Sequence, residues 1–462
     1  MDGPRVAVIG LDCAPPQLLF HDLKDEIPNL RKLMESGMHG ELESITPPIT
    51  VPAWACAMTG KTPGQLGIYG FRNRADTTYE GLSIATADAV REPAVWDLLG
   101  ARGSRSLLIG VPPSYPPRPV VGWRVSCFLT PPSAKAWTHP TELAAEIEEE
   151  LGPGGYIFDI PNFREQGFEA VLRQLYEMTR RRFQLARQLV RTKPWDLFVM
   201  VEMGPDRLHH VFWQFFDPGH PKHVPGSPFE TAFQDYYRFL DQEVGALLEV
   251  LPDDAVTIVM SDHGARRMEG GVCFNDWLIR EGYLALSEEV EAIVPVAKAP
   301  IDWSRTVAWG DGGYYGRLFL NVRGREPQGV VDPGRYEEVR DELARRLEAM
   351  PGPDGRPLGT RVIKPEDAYP DVRGVAPDLI VYFGDLDWRS VGTIGNPDVF
   401  THENDTGPDG ANHDRTGVFA MVGAPGQPAG RVEGLRLVDV GPTILSLYGI
   451  EPPEGVVGRS FL

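Results

Sequence analysis

The sequence is poor in cysteine and in positive charge. Its 462 residues include 4 cysteines, and no two of them form a Cys-x-x-Cys pair. Scattered cysteines are typical of reduced, buried thiols and argue against a disulfide framework. The 45 lysines and arginines face 65 acidic residues, which gives a formal net charge of −20. This excess argues against nucleic-acid binding, which requires a basic surface, but not against a small anionic substrate held near metal ions.

Long hydrophobic runs are also missing. No stretch approaches the roughly 18 consecutive apolar residues of a membrane span, and the first residues, MDGPRVAVIGLDC, lack the basic start and apolar segment of a signal peptide. The sequence therefore predicts a cytoplasmic protein without a membrane partner. It leaves the oligomeric state open.

What the sequence does contain is a series of short apolar runs, typical of strands buried on both faces of a sheet. They lie at residues 5–12, 104–112, 195–203, 255–264 and 378–385. Residues 168–192 and 229–251 carry apolar side chains at helical spacing, and each precedes one of these runs. Alternating strands and long helices predict an α/β fold whose central, largely parallel sheet is flanked by helices.

Two less periodic regions are interpreted as insertions that form a cap over this sheet. The second contains a possible strand at 314–322 and a helix at 336–350. We predict cap segments at 112–189 and 281–375, and a core formed by residues 1–111, 190–280 and 376–462.

Aspartates and histidines follow several of the predicted strands, at the edge of a parallel sheet where ligands gather. They are Asp12, Asp206 with His210, Asp262 with His263, and the later His413. Each motif alone has a plainer interpretation, because Ser-Asp-His-Gly is often a strand end and Asp-x3-His a solvated helix pair. Their joint occurrence, with oxygen and nitrogen ligands and no thiolate, suits Zn²⁺ or Mn²⁺ in a two-metal site.

The stretch PPITVPAWACAMTG (47–60) places Thr50 directly before Val-Pro, where a helix is expected to begin. Thr50 is either a helix cap or a nucleophile at the positive end of the helix, where a phosphate group would also bind. The nearby Trp54 is interpreted as a packing residue. This stretch alone leaves both roles of Thr50 open.

Together these motifs resemble the type I phosphodiesterase/nucleotide pyrophosphatase branch of the alkaline phosphatase superfamily. The matching stretches are GLD, TVPAW…MTG, PDRLHH, SDHG, NHDRTG and the C-terminal VDVGPTILSLYGIEPPEGVVGRSFL. The stretches DWSRTVAWG, NVRGREPQG and ENDTGPDGANH are similar to prokaryotic members described as predicted phosphohydrolases or phosphomutases. The resemblance implies an alkaline-phosphatase-like fold.

The resemblance also implies a site with two divalent metal ions, with zinc expected and manganese as the alternative. The implied ligands are Asp206, His210 and His413 for one ion, and Asp12, Asp262, His263 and Thr50 for the other. Thr50 would attack phosphorus, because metal coordination lowers the pKa of its hydroxyl group, and water would then hydrolyse the phosphothreonine.

This sequence departs from the family pattern near the nucleophile. Ala53 and Leu66 stand where family phosphodiesterases carry other residues, and the expected phosphate-binding asparagine has no unambiguous match. Asn73 and Arg72 are the two candidates for binding substrate, and a solvated loop is the alternative interpretation. An arginine fork favours a dianionic monoester, whereas an amide tolerates a diester.

We therefore predict an enzyme that hydrolyses phosphoric esters with the help of metal ions. The expected substrate is a small phosphorylated or nucleotide-like molecule of phosphodiester or pyrophosphate type. A phosphomonoesterase or phosphomutase of the same superfamily is the alternative. A non-catalytic binding protein is disfavoured, because such a protein would be expected to lack a ligand or the nucleophile, and none is missing.

Overall fold

The computed structural model describes residues 3–80 and 82–462. Its α-helices are α1 (Pro28–Ser36), α2 (Thr50–Thr59), α3 (Pro63–Leu66), α4 (Val95–Gly100), α5 (Leu143–Leu151), α6 (Phe168–Thr192), α7 (Gly204–Phe216), α8 (Ala232–Leu248), α9 (Phe274–Arg280), α10 (Tyr336–Glu348), α11 (Pro365–Ala368) and α12 (Val440–Leu447). Within these two ranges, no helix combines the length and the apolar character that crossing a membrane requires.

The strands of the first half of the chain are β1 (Val6–Leu11), β2 (Met38–Glu43), β3 (Arg72–Arg74), β4 (Leu82–Ile84), β5 (Ser106–Ile109), β6 (Gly122–Val125), β7 (Thr138–His139) and β8 (Leu197–Glu202). Those of the second half are β9 (Val256–Met260), β10 (Gly264–Arg267), β11 (Gly270–Cys273), β12 (Val294–Pro295), β13 (Ala308–Asp311), β14 (Gly316–Leu320), β15 (Arg361–Ile363), β16 (Leu379–Tyr382), β17 (Trp388–Val391), β18 (Thr393–Ile394), β19 (Phe400–Thr401), β20 (Ala411–Asp414), β21 (Thr416–Val422), β22 (Gly430–Arg431) and β23 (Leu435–Arg436).

A large central sheet organises the molecule. Its strand order is β22-β2-β21-β9-β1-β8-β5-β6-β7, with β23 beside β2. The strands β9, β1, β8, β5 and β6 are mutually parallel, whereas β21 runs antiparallel to β9 and β2. Every residue of β1, β8 and β9 is buried, as expected for central strands covered on both faces. The predicted α/β fold with a largely parallel sheet is confirmed.

The register of the central strands brings their carboxyl ends to one edge. Leu11 at the end of β1 pairs with Glu202 at the end of β8, and Gly10 pairs with Met260 at the end of β9. A Cβ atom at Gly10 would collide with the ring of Trp54, so glycine is what allows α2 to pack against this edge. The three strand ends and the start of α2 therefore converge.

A second, four-stranded sheet has the order β13-β14-β16-β15 and is antiparallel throughout. It contains the predicted strand near 314–322 as β14 and lies beside the predicted helix, α10. The apolar run at 378–385 forms β16 of this sheet and does not join the central one. A run buried on both faces has the same pattern in either sheet, so the sequence could not distinguish them. The strand that pairs with β9 in its place is β21.

The predicted boundaries of core and cap remain a prediction. Two strands that fall within the predicted 112–189 insertion, β6 and β7, extend the central sheet beyond β5. Residues 281–375 contribute β13, β14 and β15 to the second sheet. The second sheet is therefore built mostly from the predicted cap, with β16 from the predicted core.

Candidate metal centre and active site

The sequence-predicted metal ligands and nucleophile lie together at the carboxyl edge of the central sheet. Each of them is at most 2 % exposed. Asp12 follows β1, Asp206 and His210 lie on α7 after β8, Asp262 and His263 follow β9, His413 lies on β20, and Thr50 is the first residue of α2. His413 comes from far along the chain, and it reaches the site because β20 pairs antiparallel with β10, directly after His263.

One half of the site groups Asp12, Asp262, His263 and Thr50. The Nε2 atom of His263 lies 3.2 Å from Asp262 Oδ2 and 3.8 Å from Asp12 Oδ1. Thr50 Oγ1 lies 3.1 Å from His263 Nε2 and 3.5 Å from Asp12 Oδ1. The threonine hydroxyl therefore contacts the side chains that can hold a cation.

The other half groups Asp206, His210 and His413. Asp206 Oδ2 lies 3.1 Å from His210 Nε2 and 3.7 Å from His413 Nε2. The two halves touch, because the imidazole rings of His263 and His413 stack with their centroids 3.9 Å apart. The six predicted aspartate and histidine ligands, together with Thr50, thus form one continuous buried cluster.

The histidine hydrogen bonds test whether this cluster suits metal ions. Nδ1 of His263 lies 3.0 Å from the carbonyl oxygen of Gly264, and Nδ1 of His413 lies 2.8 Å from that of Pro48. A carbonyl oxygen can only accept, so each Nδ1 carries a proton and donates it. Burial lowers the pKa of His263 to about 4 and that of His413 well below its ordinary value, so both rings are neutral at pH 7. Each therefore presents a lone pair on Nε2.

Two buried atoms in this cluster lack hydrogen-bond partners within residues 3–80 and 82–462. They are His413 Nε2 and Asp262 Oδ2. Buried polar atoms are rarely left unpaired, because doing so costs free energy. Neutral imidazole nitrogens and unpaired carboxylate oxygens are the donor set that zinc and manganese take, so the residues present fit divalent cations.

The pKa values of the carboxyl groups in the cluster are shifted in opposite directions. Burial, assisted by the neighbouring Asp206, raises the pKa of Asp12 well above its usual range, and burial also raises that of Asp262. Burial opposes ionisation of Asp206 as well, but His210 and Arg207 outweigh it and hold its pKa well below the usual range. Such divergence is typical of like charges sharing a desolvated site, and bound cations would compensate those charges.

Sequence reasoning did not assign three further residues to this cluster. The side chain of Cys13 has its sulfur within 4.8 Å of ligand atoms of Asp206, His263 and His413, and its backbone N–H donates to Asp262 Oδ1 over 3.2 Å. Trp54, interpreted as a packing residue, donates from Nε1 to Asp12 Oδ2 over 2.7 Å. Arg207 forms an ion pair with Asp206. In the sequence, only their positions next to or near Asp12, Thr50 and Asp206 indicate that they belong to the site.

Asp409 supports the cluster from outside. Its Oδ1 atom accepts from His210 Nδ1 over 2.8 Å, and its Oδ2 atom accepts from Arg164 over 2.8 Å. The side chain of Asp409 is fully buried, and the surrounding positive groups hold its pKa below the usual range although burial opposes this. A carboxylate in this position fixes the histidine ring so that Nε2 faces Asp206.

Replacing Asp409 with asparagine should weaken metal binding about 10–100-fold, because the variant removes the charge that orients and polarises His210. The affinity would be measured by competition with a chromophoric chelator. Asp405→Asn is the matched control, since Asp405 lies on the same loop and pairs with Arg389 at 3.2 Å but not with His210. Equal affinities of both variants and the unmodified protein would contradict this positioning role.

The two candidate substrate-binding residues lie in different surroundings. Asn73 uses its amide within a turn, because Oδ1 accepts from the backbone of Tyr69 at 2.7 Å and Nδ2 donates to Gly70 O at 3.0 Å. Arg72 is exposed and lines a cavity of about 630 Å³ that reaches Asp206 and His413. Of the two candidates, Arg72 therefore lines the cavity that leads to the cluster, and Asn73 does not.

The chain has relatives among known families and structures. Residues 6–411 match the family model described as type I phosphodiesterase/nucleotide pyrophosphatase. No curated protein sequence matches the chain. Human ectonucleotide pyrophosphatase/phosphodiesterase 5 is similar in structure, with 14% sequence identity, a TM-score of 0.55 and coverage of 99% of this chain and 97% of that chain.

The murine enzyme of the same name is also similar. An inactive variant of it, in complex with AMP, has 15% sequence identity and a TM-score of 0.53 over 97% of this chain and 96% of that chain. At these identities the two structures show a shared fold, whereas the family model spans most of the sequence. The chain belongs to the type I phosphodiesterase/nucleotide pyrophosphatase family, a family of hydrolases that act on phosphoester bonds.

Proposed function

We propose that this protein is a metal-dependent hydrolase of phosphodiesters or nucleotide-type pyrophosphates, with Thr50 as its nucleophile. The observation that carries the proposal is the position of the Thr50 hydroxyl, 3.1 Å from His263 Nε2 and 3.5 Å from Asp12 Oδ1. The alternative role of Thr50 as a helix cap is wrong, because Ile49 is the N-cap of α2 and no side chain of the described residues donates or accepts a capping hydrogen bond there. In this site the Thr50 hydroxyl lies at the head of α2, beside residues suited to cations.

Two divalent ions, with zinc expected and manganese as the alternative, would be held by the residues described above. The proposed sets are Asp12, Asp262, His263 and Thr50 for one ion, and Asp206, His210 and His413 for the other. When bound, such ions lower the pKa of an attacking hydroxyl group and neutralise charge on the phosphoryl oxygens.

The chain itself supplies the nucleophile and part of the phosphate site. Thr50 Oγ1 forms a bond to phosphorus, the bond from phosphorus to the leaving oxygen breaks, and the hydroxyl proton is released to solvent. Pro52 has no backbone N–H, so the first turn of α2 offers the N–H groups of Thr50 and Val51 to the phosphoryl oxygens. Water then attacks phosphorus, which breaks the bond to Thr50 and restores its hydroxyl group.

A nucleotide-like substrate is supported by the relatives. The murine structure holds AMP, a nucleoside monophosphate. A cavity of about 630 Å³ beside Asp206 and His413 is within the size range of pockets that bind small molecules. We therefore place the ester group beyond the reacting phosphoryl in this cavity.

A phosphomonoesterase or phosphomutase is the second candidate, and the position of Arg72 favours it. Arg72 lines the cavity, its side chain is exposed, and it forms no ion pair within the part of the chain that the structure describes. A fork of this kind matches a dianionic monoester better than a diester.

Hydrolysis of bis-p-nitrophenyl phosphate and of p-nitrophenyl phosphate, with Zn²⁺ or Mn²⁺ supplied, separates the two candidates. We expect kcat/KM for the diester to exceed that for the monoester at least tenfold. Arg72→Met should lower monoester hydrolysis more than diester hydrolysis, whereas Arg323→Met, at a side chain 64% exposed, should change neither. A monoester preference would favour the second candidate, and no hydrolysis of either compound would contradict a hydrolase of this type.

A further inference from the structure

The cavity beside the metal centre has room for much more than a phosphoryl group, and arginines dominate its polar wall. Its volume is about 630 Å³, and it reaches the centre at Asp206 and His413. The arginines that line it are Arg72, Arg164, Arg207, Arg317 and Arg389. A chain whose net charge is −20 thus concentrates guanidinium groups around one cavity.

Two of these arginines are engaged by acidic side chains of the protein. Arg207 binds Asp159 through two hydrogen bonds of 2.8 and 2.7 Å and also pairs with Asp206. Arg164 binds Asp409 at 2.8 Å and the hydroxyl of Tyr314 at 2.5 Å. These contacts hold the wall together next to the metal ligands.

Arg389 is different, because it is buried and incompletely paired. Its side chain is 4% exposed, and its Nε atom has no hydrogen-bond partner within the described ranges. Its nearest acceptors are Thr406 at 3.3 Å, Asp405 at 3.2 Å and Asp409 at 3.8 Å. Charge-assisted hydrogen bonds are about 2.7–2.9 Å long, so these contacts are weak for a guanidinium. A buried cation with an unmet donor gains from a further anion.

Arg317 lies on an adjoining part of the wall, where Asp311 and the carbonyl oxygen of Arg72 engage its terminal nitrogens. Its side chain is 10% exposed and pairs with Asp311 at 2.6 Å, but its Nε atom has no partner in the described structure. The two segments adjoin because Gly313 and Ser390 exchange backbone hydrogen bonds of 2.9 Å. Side chains at Gly312 and Gly392 would collide with the facing backbone, so glycine permits this close approach.

No hydrogen bond or ion pair joins Arg389 to Thr50 or to a candidate metal ligand within the described ranges. Its guanidinium lies 5.6 Å from the ring centroid of Tyr314, and that ring stacks on His413 at 4.0 Å. Its ion pairs are with Asp405 and Asp409, and neither is a candidate metal ligand. A phosphoryl group at Thr50 would engage the metal centre and the start of α2, which leaves Arg389 for another part of the substrate.

We infer that the substrate carries a second anionic group, a carboxylate or a further phosphate, and that Arg389 binds this group with Arg317 on the adjoining wall. The inference rests on the proposed function for the placement of the reacting phosphoryl at Thr50. The two anions share one chemistry, since each offers paired oxygens to the planar guanidinium fork. The substrate is therefore a phosphoric ester with at least two separate anionic groups.

The test is calorimetric titration of the metal-loaded protein with two matched pairs of ligands. Thymidine 3′,5′-bisphosphate is compared with thymidine 5′-monophosphate, and 3-phosphoglycerate with glycerol 3-phosphate. We expect the ligand with the second anion to bind at least tenfold more tightly in one pair. A difference in the nucleoside pair identifies a phosphate, and one in the glycerol pair a carboxylate.

Variants then assign the effect to the wall. Arg389→Met should reduce the ratio of the two affinities in that pair to less than threefold. Arg305→Met, at a side chain 71% exposed, should preserve this ratio. Arg317→Met serves if circular dichroism shows that Arg389→Met does not fold. Ratios below tenfold in both pairs would overturn the inference, as would a ratio that survives both substitutions. If the metal-loaded protein hydrolyses no phosphoric ester but the affinity ratio of at least tenfold is observed, the proposed function alone would be refuted.

Discussion

Thr50→Ala is expected to reduce kcat for phosphodiester hydrolysis by at least about a thousandfold, as removal of a covalent nucleophile does in other hydrolases. The hydroxyl of Thr50 lies 3.1 Å from His263 Nε2 and 3.5 Å from Asp12 Oδ1, and it is the group that we propose forms the bond to phosphorus. Substrate binding should change much less than kcat, because the cavity wall and the other ligands are untouched. The measurement is the steady-state rate at saturating substrate and metal.

Thr50→Ser is the matched control, since it keeps the hydroxyl and removes one methyl group from a buried position. It should retain activity within about tenfold of the unmodified enzyme. Acid-quenched reactions should also yield a phosphorylated peptide that contains Thr50, and the Ala variant should yield none. Full activity of Thr50→Ala would refute the nucleophile.

Metal removal is expected to abolish hydrolysis, and His413→Ala should prevent its recovery. Dialysis against a chelator should inactivate the enzyme, and Zn²⁺ or Mn²⁺ should restore it. In His413→Ala, the ion shared with Asp206 and His210 would lose one of three protein ligands, so both bound metal and turnover should fall. Metal content measured by mass spectrometry would be compared with kcat for the same samples.

Stability provides a readout that does not depend on catalysis. A cation that binds only the folded state stabilises it by about 2.7 kcal/mol when its concentration is 100 times Kd. Metal should therefore raise Tm for the unmodified protein more than for His413→Ala. His402→Ala is the control, because His402 is an exposed histidine that donates to Glu269 O and lies outside the cluster. Unchanged metal content in His413→Ala would contradict its role as a ligand.

The sequence was most informative where residues follow the buried strands. Asp12 directly follows β1, and Asp262 and His263 follow β9 after Ser261. Parallel neighbours must end at the same edge, so the convergence of these residues was predictable. Membership of the family was predictable for the same reason, since several of the matching motifs lie directly after these strands.

The rest depended on contacts that no local pattern encodes. His413 reaches the cluster through the pairing of β20 with β10, and Asp409 through its hydrogen bond to His210. Arg389 and Arg317 come from short strands whose apolar spacing says nothing about a cavity. The run that forms β16 was assigned to the wrong sheet, because burial on both faces looks alike in any sheet. Long-range packing decided each of these features.

The pairing of β10 with β20 has a consequence for when the site forms during synthesis. Asp12 and His413 lie far apart in the chain. At a synthesis rate of roughly 5–20 residues per second, His413 is added tens of seconds after Asp12. Contacts between such distant segments close late, because loop closure over that length must precede them. A nascent chain can thus build the central strands while one metal position still lacks a ligand. We expect catalytic competence to arrive only after β20 has docked, so partial translation products should be inactive.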